Sequence, residues 1–146
     1  MISEMTNPRP TQPKSSVERV VRVAAALADP GRVRLVGACL DRERCVCQLV
    51  GLLGLSMPTV SRHLTVLRDA GVLDSRKDGR WVHYRLADPE AGTPEADGVA
   101  MVRRLHAHDE TLQEDRARLD EICGLEPREV ARRLKNGEPV CPPTCC

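Results

Sequence analysis

Cys45-Val46-Cys47 and the closing run Cys141-Pro142-Pro143-Thr144-Cys145-Cys146 are the two places where this chain concentrates thiols. Thiolates are soft ligands that select soft metals and metalloids. On a regular helix, residues two apart point to nearly opposite sides. Cys45 and Cys47 can therefore hold one ion only where the helix start is distorted, and the alternative is two small residues packed at a helix terminus. The tail trio has no surroundings that could build a core. An exposed vicinal thiol pair is a redox liability unless it is used. Cys45, Cys47, Cys141, Cys145 and Cys146 are thus the candidate soft-metal ligands, with thiol redox sensing open to the same residues. Cys39 lies among apolar residues and reads as core, and Cys123 fits either role.

The compartment decides how these thiols are read. Met1 to Lys14 carries three prolines and no apolar core, so it reads as a disordered leader (residues 1–15) rather than an export signal. A cytoplasmic location follows, where structural disulfides are disfavoured. No apolar run is long enough to span a membrane. Length and hydrophobic content suit one domain, and the near absence of aromatic residues favours packed helices over a β-sandwich.

Several elements would position the thiols. Residues 16–28 are amphipathic, with Ser16 as cap and Val17, Val20, Val21, Ala24 and Leu27 at helical spacing. Asp29-Pro30 ends that helix and starts a second, to about Leu40. Cys45 to Leu53 reads as a short third helix ending at Gly54, and Ser56 caps a fourth that stops at Gly71. Two such helices around a tight turn form a helix-turn-helix. Met57, Val60, Leu64 and Leu67 share the inner face of the fourth helix. Ser56, Pro58, Thr59, Ser61, Arg62 and Thr65 occupy or flank the other, with hydroxyls and an arginine suited to the major groove. An ordinary solvated face is the competing reading of that helix alone. Two extended runs then meet at Asp78-Gly79, which favours a type I′ hairpin turn. Arg76, Lys77 and Arg80 sit at its tip, placed for phosphates. The order of elements gives a mainly α fold with a small β-hairpin, a winged helix-turn-helix.

A linker leads into a long helix, about residues 95–123, with an apolar stripe of approximate heptad spacing. Such a stripe needs a partner. Val20 and Leu27 of the first helix and Val102, Leu105, Leu112 and Leu119 of the long one are the expected homodimer contacts. The winged-helix and dimerisation domain then spans 16–123, and 124–146 holds a short helix (127–135) and a flexible Cys-rich tail. His106 and His108 diverge on a helix, His63 faces DNA or the core edge, and His83 lies in the wing, so the histidines make no zinc site.

These residues resemble a known family. Arg44-Cys45-Val46-Cys47-Gln48-Leu49 is similar to the metal-binding box of the ArsR family of metalloregulatory repressors. Ser56 to Leu64, with Leu67 to Gly71, resembles its recognition helix, and Lys77 to Leu86 its wing. The resemblance covers about residues 16–123. It implies a dimer that represses by binding double-stranded operator DNA and releases it when an inducer binds. One type of arsenite sensor in the family uses a third box cysteine three residues after the second, where this chain has Val50. Related sensors recruit thiols from elsewhere in the chain, including terminal segments; here the resemblance leaves open a third box ligand from the tail or a separate tail site made of Cys141, Cys145 and Cys146. The expected inducer is arsenite or antimonite, with a cadmium- or lead-type divalent ion or a redox signal as alternatives. No phosphate-cradling Gly-rich loop or strand–Cys–helix pattern points to a thiol enzyme.

Overall fold

The computed structural model describes residues 15–138. Local capping chemistry sets most helix starts. α1 (Ser16–Leu27) is capped by Ser15, one residue before the expected Ser16, with its hydroxyl accepting the Glu18 N–H at 3.2 Å. Asp29 accepts the Arg32 N–H at 3.1 Å and Pro30 opens α2 (Pro30–Ala38). α3 (Val46–Leu53) ends on Gly54 at φ 66°, a left-handed conformation that suits glycine and makes the turn into α4 (Met57–Asp69) tight. Ser56 caps α4 through the Thr59 N–H.

The sheet holds one strand more than the hairpin that the sequence announces. β1 (Arg44–Cys45), β2 (Leu73–Asp78) and β3 (Trp81–Leu86) form an antiparallel sheet in the order β1-β3-β2. Arg44 pairs with Tyr84 and Cys45 with His83. Cys45 is therefore not the first helical residue: it ends β1 and stands as the extended N-cap of α3, at φ −71° and ψ 145°. Asp78 pairs with Trp81, so the hairpin turns on Gly79 and Arg80, one residue later than expected. Gly79 alone carries positive φ there (59°), a departure from the type I′ turn, which needs it at both central residues.

The expected long helix is two helices. α5 (Pro94–His106) stops, and Asp109 caps α6 (Glu110–Cys123) by accepting the Leu112 N–H at 3.0 Å. A cap of this kind competes with helix continuation. The break lets α6 turn onto α2 and α3. Leu112 and Leu119 are buried there, at 3% and 1% exposure, inside the protomer's own core. The expectation that they meet a second chain is corrected by that burial. Val102 is also buried, while Val20 and Leu105 are exposed and Leu27 lies between. α7 (Pro127–Lys135) then packs on α3 with Val130 fully buried, so residues 127–135 belong to the same body as the winged helix.

Two further contacts fix the frame. Gly98 lets α1 and α5 approach closely, since a Cβ there would stand 2.7 Å from Val23 Cγ1. Arg19 grips Glu95 through two hydrogen bonds across the same pair. Beneath α6, Asp115 is 5% exposed and accepts two hydrogen bonds from Arg34, both 2.8 Å. Removing one partner of such a pair strands a buried charge. Asp115→Ala is expected to cost roughly 3 kcal/mol of stability, read as a lower urea midpoint. An unchanged midpoint contradicts a structural role for the pair.

Candidate functional site

The junction of β1 and α3 solves the geometric problem posed by Cys-x-Cys. Because Cys45 is extended and Cys47 helical, the two side chains turn toward each other, and their Sγ atoms lie 2.9 Å apart. Both residues are buried. The Gln48 side chain accepts the Cys45 N–H at 2.9 Å and holds the junction in place. The hydrogen bond from Cys47 lowers the Cys45 thiol to about 6, helped by the backbone N–H groups of Cys47 and Gln48 and by nearby His83, against the opposing effect of burial. The Cys47 thiol is pushed up, first because it donates to Cys45 and then by burial and the neighbouring charge. The pair shares one proton and titrates as a unit. Of the two, Cys45 is the thiol whose ionised form the surroundings favour.

The other described cysteines differ. Cys39 is buried, its thiol faces the Tyr84 carbonyl at 3.7 Å, and burial pushes it up to about 12, as suits a core residue. Cys123 accepts a hydrogen bond from Arg44 Nη1 at 3.0 Å, and Arg44 Nε donates to the Ala38 carbonyl at 2.9 Å. This buried arginine ties the residue before the thiol pair to the end of α6. Cys141, Cys145 and Cys146 lie outside the described residues. Among the described residues, no group of three or more His, Cys, Asp or Glu side chains is placed to hold a metal ion. His83 Nδ1 sits 3.8 Å from Glu43 and His63 Nδ1 3.2 Å from Arg32.

The thiol pair opens on a cavity of about 620 Å³. Its walls come from four parts of the chain. β1 and α3 give Cys45, Val46, Cys47 and Val50; the start of α4 and the turn before it give Leu55, Ser56, Met57 and Ser61; the wing gives Arg80, Trp81, Val82 and Tyr84; α7 gives Ala131, Leu134 and Lys135. Met57, expected on the inner face of α4 with Val60, Leu64 and Leu67, is 44% exposed at this rim while the other three are buried. The part played by α7 was not foreseen. Its signal in the sequence was Val130 and Leu134, one helical turn apart.

On the outer face of α4, Ser56, Pro58, Ser61 and Arg62 are exposed, and Thr59 and Thr65 are half-buried. Thr65 donates to the Ser61 carbonyl and Ser56 bonds Thr59, so those hydroxyls are already engaged within the helix. In the wing, Lys77 and Arg80 are exposed, with Arg80 standing over the Trp81 ring at 5.8 Å. Arg76 instead forms two hydrogen bonds with Glu43, which stands two residues before Cys45. Among the described residues no helix is long and apolar enough to cross a membrane.

Known proteins resemble this chain in sequence and fold. Residues 29–75, from the α2 cap into β2, match the family described as bacterial regulatory protein, arsR family. An arsenic resistance transcriptional regulator of Pseudomonas putida is 41% identical over 101 residues, 68% of this chain and 77% of that protein. The "probable mercury resistance operon repressor" of Streptomyces lividans is 34% identical over 121 residues, 83% of this chain and 88% of its own. Among solved structures, the homodimeric winged helix-turn-helix DNA-binding domain of a Mycobacterium bovis protein superposes with a TM-score of 0.52 at 26% identity, covering 64% of this chain and 83% of that fragment. With its thiol pair set between recognition helix and wing, this chain belongs to the ArsR family of DNA-binding transcriptional repressors and is not an enzyme.

Proposed function

We propose that this protein is a cytoplasmic, homodimeric repressor that releases its operator when arsenite or antimonite is bound by Cys45, Cys47 and a thiolate of the tail. The observation that carries this reading is the 2.9 Å thiol pair at the hinge between wing and recognition helix, facing a cavity whose far wall is α7. Lys135, the last residue of α7, lines that cavity. Beyond it the chain turns back, with the Glu138 N–H donating to the Arg133 carbonyl, and Cys141 follows three residues after Glu138, a reach of about 10 Å for extended chain. A trivalent metalloid suits three thiolates: the box supplies two, and the tail has three to offer.

The same geometry gives a route from inducer to DNA. Cys45 stands opposite His83 in the sheet, so drawing its sulfur toward an ion would shift β3 and the wing. Cys47 lies on α3, which packs directly on α4. Glu43 holds Arg76 and moves with β1. Ligation that favours a different set of these positions lowers operator affinity by its coupling free energy, typically about 1–3 kcal/mol.

For DNA, Arg62 with Ser61 and Thr59 reads bases and Lys77, Arg80 and Arg76 serve phosphates. Ser56, Pro58 and Thr65 complete the helix face. Arg62→Ala should cost about 1–3 kcal/mol of operator binding and relax specificity. Lys77→Ala should weaken specific and nonspecific DNA alike and reduce the salt slope by about one. Unchanged operator affinity in the first variant, or a loss confined to one base position in the second, removes the assignment.

For the dimer, the exposed apolar residues of the adjacent α1 and α5 (Val17, Val20, Val21, Met101 and Leu105) form the face that a second copy would cover. Two-fold symmetry would then present two α4 helices to a palindromic site. Val21→Glu or Met101→Glu should shift sedimentation from dimer to monomer, because a charge would be buried without compensation. A monomeric wild-type mass at micromolar concentration sinks the interface.

For the inducer, Cys45→Ser, Cys47→Ser and the combined serine replacement of Cys141, Cys145 and Cys146 should each abolish arsenite-driven operator release while leaving operator affinity intact. Anisotropy of labelled operator reads this directly, with antimonite, mercury, cadmium and lead in parallel. If the tail forms a site by itself, the tail variant alone loses the response. Full induction after loss of both sets refutes sensing by either.

A further inference from the structure

We propose that α7 adds a third DNA-contacting element to the recognition helix and the wing, with Lys135 bound to a backbone phosphate of the duplex beside the bases that α4 reads. This rests on the reading of α4 and the wing as the DNA face. The sequence concentrates charge at α7. The whole chain carries a net charge of +1, yet residues 127–135 hold four cations, Arg128, Arg132, Arg133 and Lys135, and one carboxylate, Glu129. That carboxylate is committed within the helix. It accepts hydrogen bonds from Arg132 and Arg133, and Arg132 also reaches Glu138. Among the described residues, Lys135 takes part in no ion pair.

Packing sets this cation next to the DNA elements. Val130 is fully buried, α7 packs on α3, and α3 packs on α4. Lys135 lines the same cavity as Ser56 at the cap of α4, Ser61 within α4 and Arg80 of the wing. All four residues are exposed, and an exposed residue that lines a cavity stands at its rim. The rim therefore joins the start of α4, the tip of the wing and the end of α7. Its volume of about 620 Å³ corresponds to a span on the order of 10 Å, close to the roughly 12 Å width of the DNA major groove. With the start of α4 in that groove, a cation one such span away meets the phosphates that border it rather than the bases inside it.

Charge complementarity selects the partner. Duplex DNA carries one negative charge per about 1.7 Å of its axis, and each phosphate neutralised by a cation releases counterions. Lysine suits this role, because a compact charge on a flexible stem needs no fixed donor geometry. A docked helix also holds its cation near the duplex before binding, so less freedom is lost than for a cation on a loose segment. A contact of this kind fixes register and adds affinity without choosing sequence, which remains the task of α4.

The test uses the full-length protein on labelled duplexes, with affinity read by anisotropy across a salt series. Lys135→Ala should weaken binding to the operator and to an unrelated duplex alike and lower the salt slope by about one. The advantage of the wild type should then shrink roughly threefold between about 50 and 200 mM salt. Lys135→Arg should restore most of the affinity. Methylphosphonate substitution removes the charge of a single phosphate. At one position flanking the bases read by α4 it should erase the difference between wild type and Lys135→Ala. Arg128→Ala, which removes an exposed cation of the same helix that does not line the cavity, should leave the slope as it was. An unchanged slope in Lys135→Ala overturns the proposal, as does a difference that survives neutralisation at every phosphate. Tighter binding by Lys135→Ala also overturns it, because α7 would then hold DNA off. So does an equal loss from Arg128→Ala, which would make the effect one of net charge. A Lys135 effect with Arg62→Ala and Lys77→Ala both silent is a different failure, since it removes α4 and the wing as the DNA face.

Discussion

Cys45 has to satisfy two elements at once. As the last residue of β1 it must be extended, because it pairs with His83. As the N-cap of α3 it must also be extended, because an N-cap precedes the helical dihedrals. The two demands agree, and their agreement turns the Cys45 side chain onto Cys47. A residue inside the helix would point its thiol away. The 2.9 Å pair is thus a by-product of where a strand becomes a helix. The strand pairs with β3 of the wing and the helix packs on α4, so the pair adjoins both elements of the winged helix.

Neighbouring charges reinforce the same junction. Glu43 reaches Arg76 in the wing, and Arg44 reaches the Ala38 carbonyl and Cys123 at the end of α6. Three successive residues therefore contact the wing, the far end of the core and the thiol partner. A buried arginine needs such anchoring, since an unsatisfied guanidinium would be costly away from water. Rigidity here is useful: a hinge transmits displacement only if its attachments do not give.

The sequence was legible where chemistry is local. Asp29-Pro30, Ser56 and Gly54 announced their helix ends because a cap or a left-handed glycine acts within a few residues. It was misleading where tertiary packing chose between local options. The run from 95 to 123 carries a continuous apolar stripe, yet Asp109 can cap as well as continue a helix, and burial of Leu112 and Leu119 against α2 and α3 decides for the break. β1 is two residues long and has no periodicity to read, so it was absorbed into the helix that follows. The turn at Gly79 moved by one because strand register, set by Tyr84 burying and Arg85 facing out, outranks the dipeptide preference. The candidate site was half legible: residue types named the box and the recognition face, while the cavity needs α7, whose docking depends on Val130 finding α3.

That docking bears on why a box with two thiols can serve at all. A complete three-thiol box would hold its ion within one helix start, with no call on the rest of the chain. Here α7 lines the same cavity as the thiol pair, and on the proposed reading the third ligand comes from the far end of the sequence. On that reading, completing the site would connect the hinge to α7 through the bound atom, where packing alone joins them in the structure. The energetic consequence would be a steeper contrast between empty and occupied states. In the empty state the thiol pair is satisfied by its own hydrogen bond and the sheet keeps its register. In the proposed occupied state the pair would be pulled from outside, against a wall that is part of the same core. A site that is incomplete within its own element thereby gains coupling that a self-contained one lacks, since an equilibrium shifts only by the ligand's differential interaction with the two states.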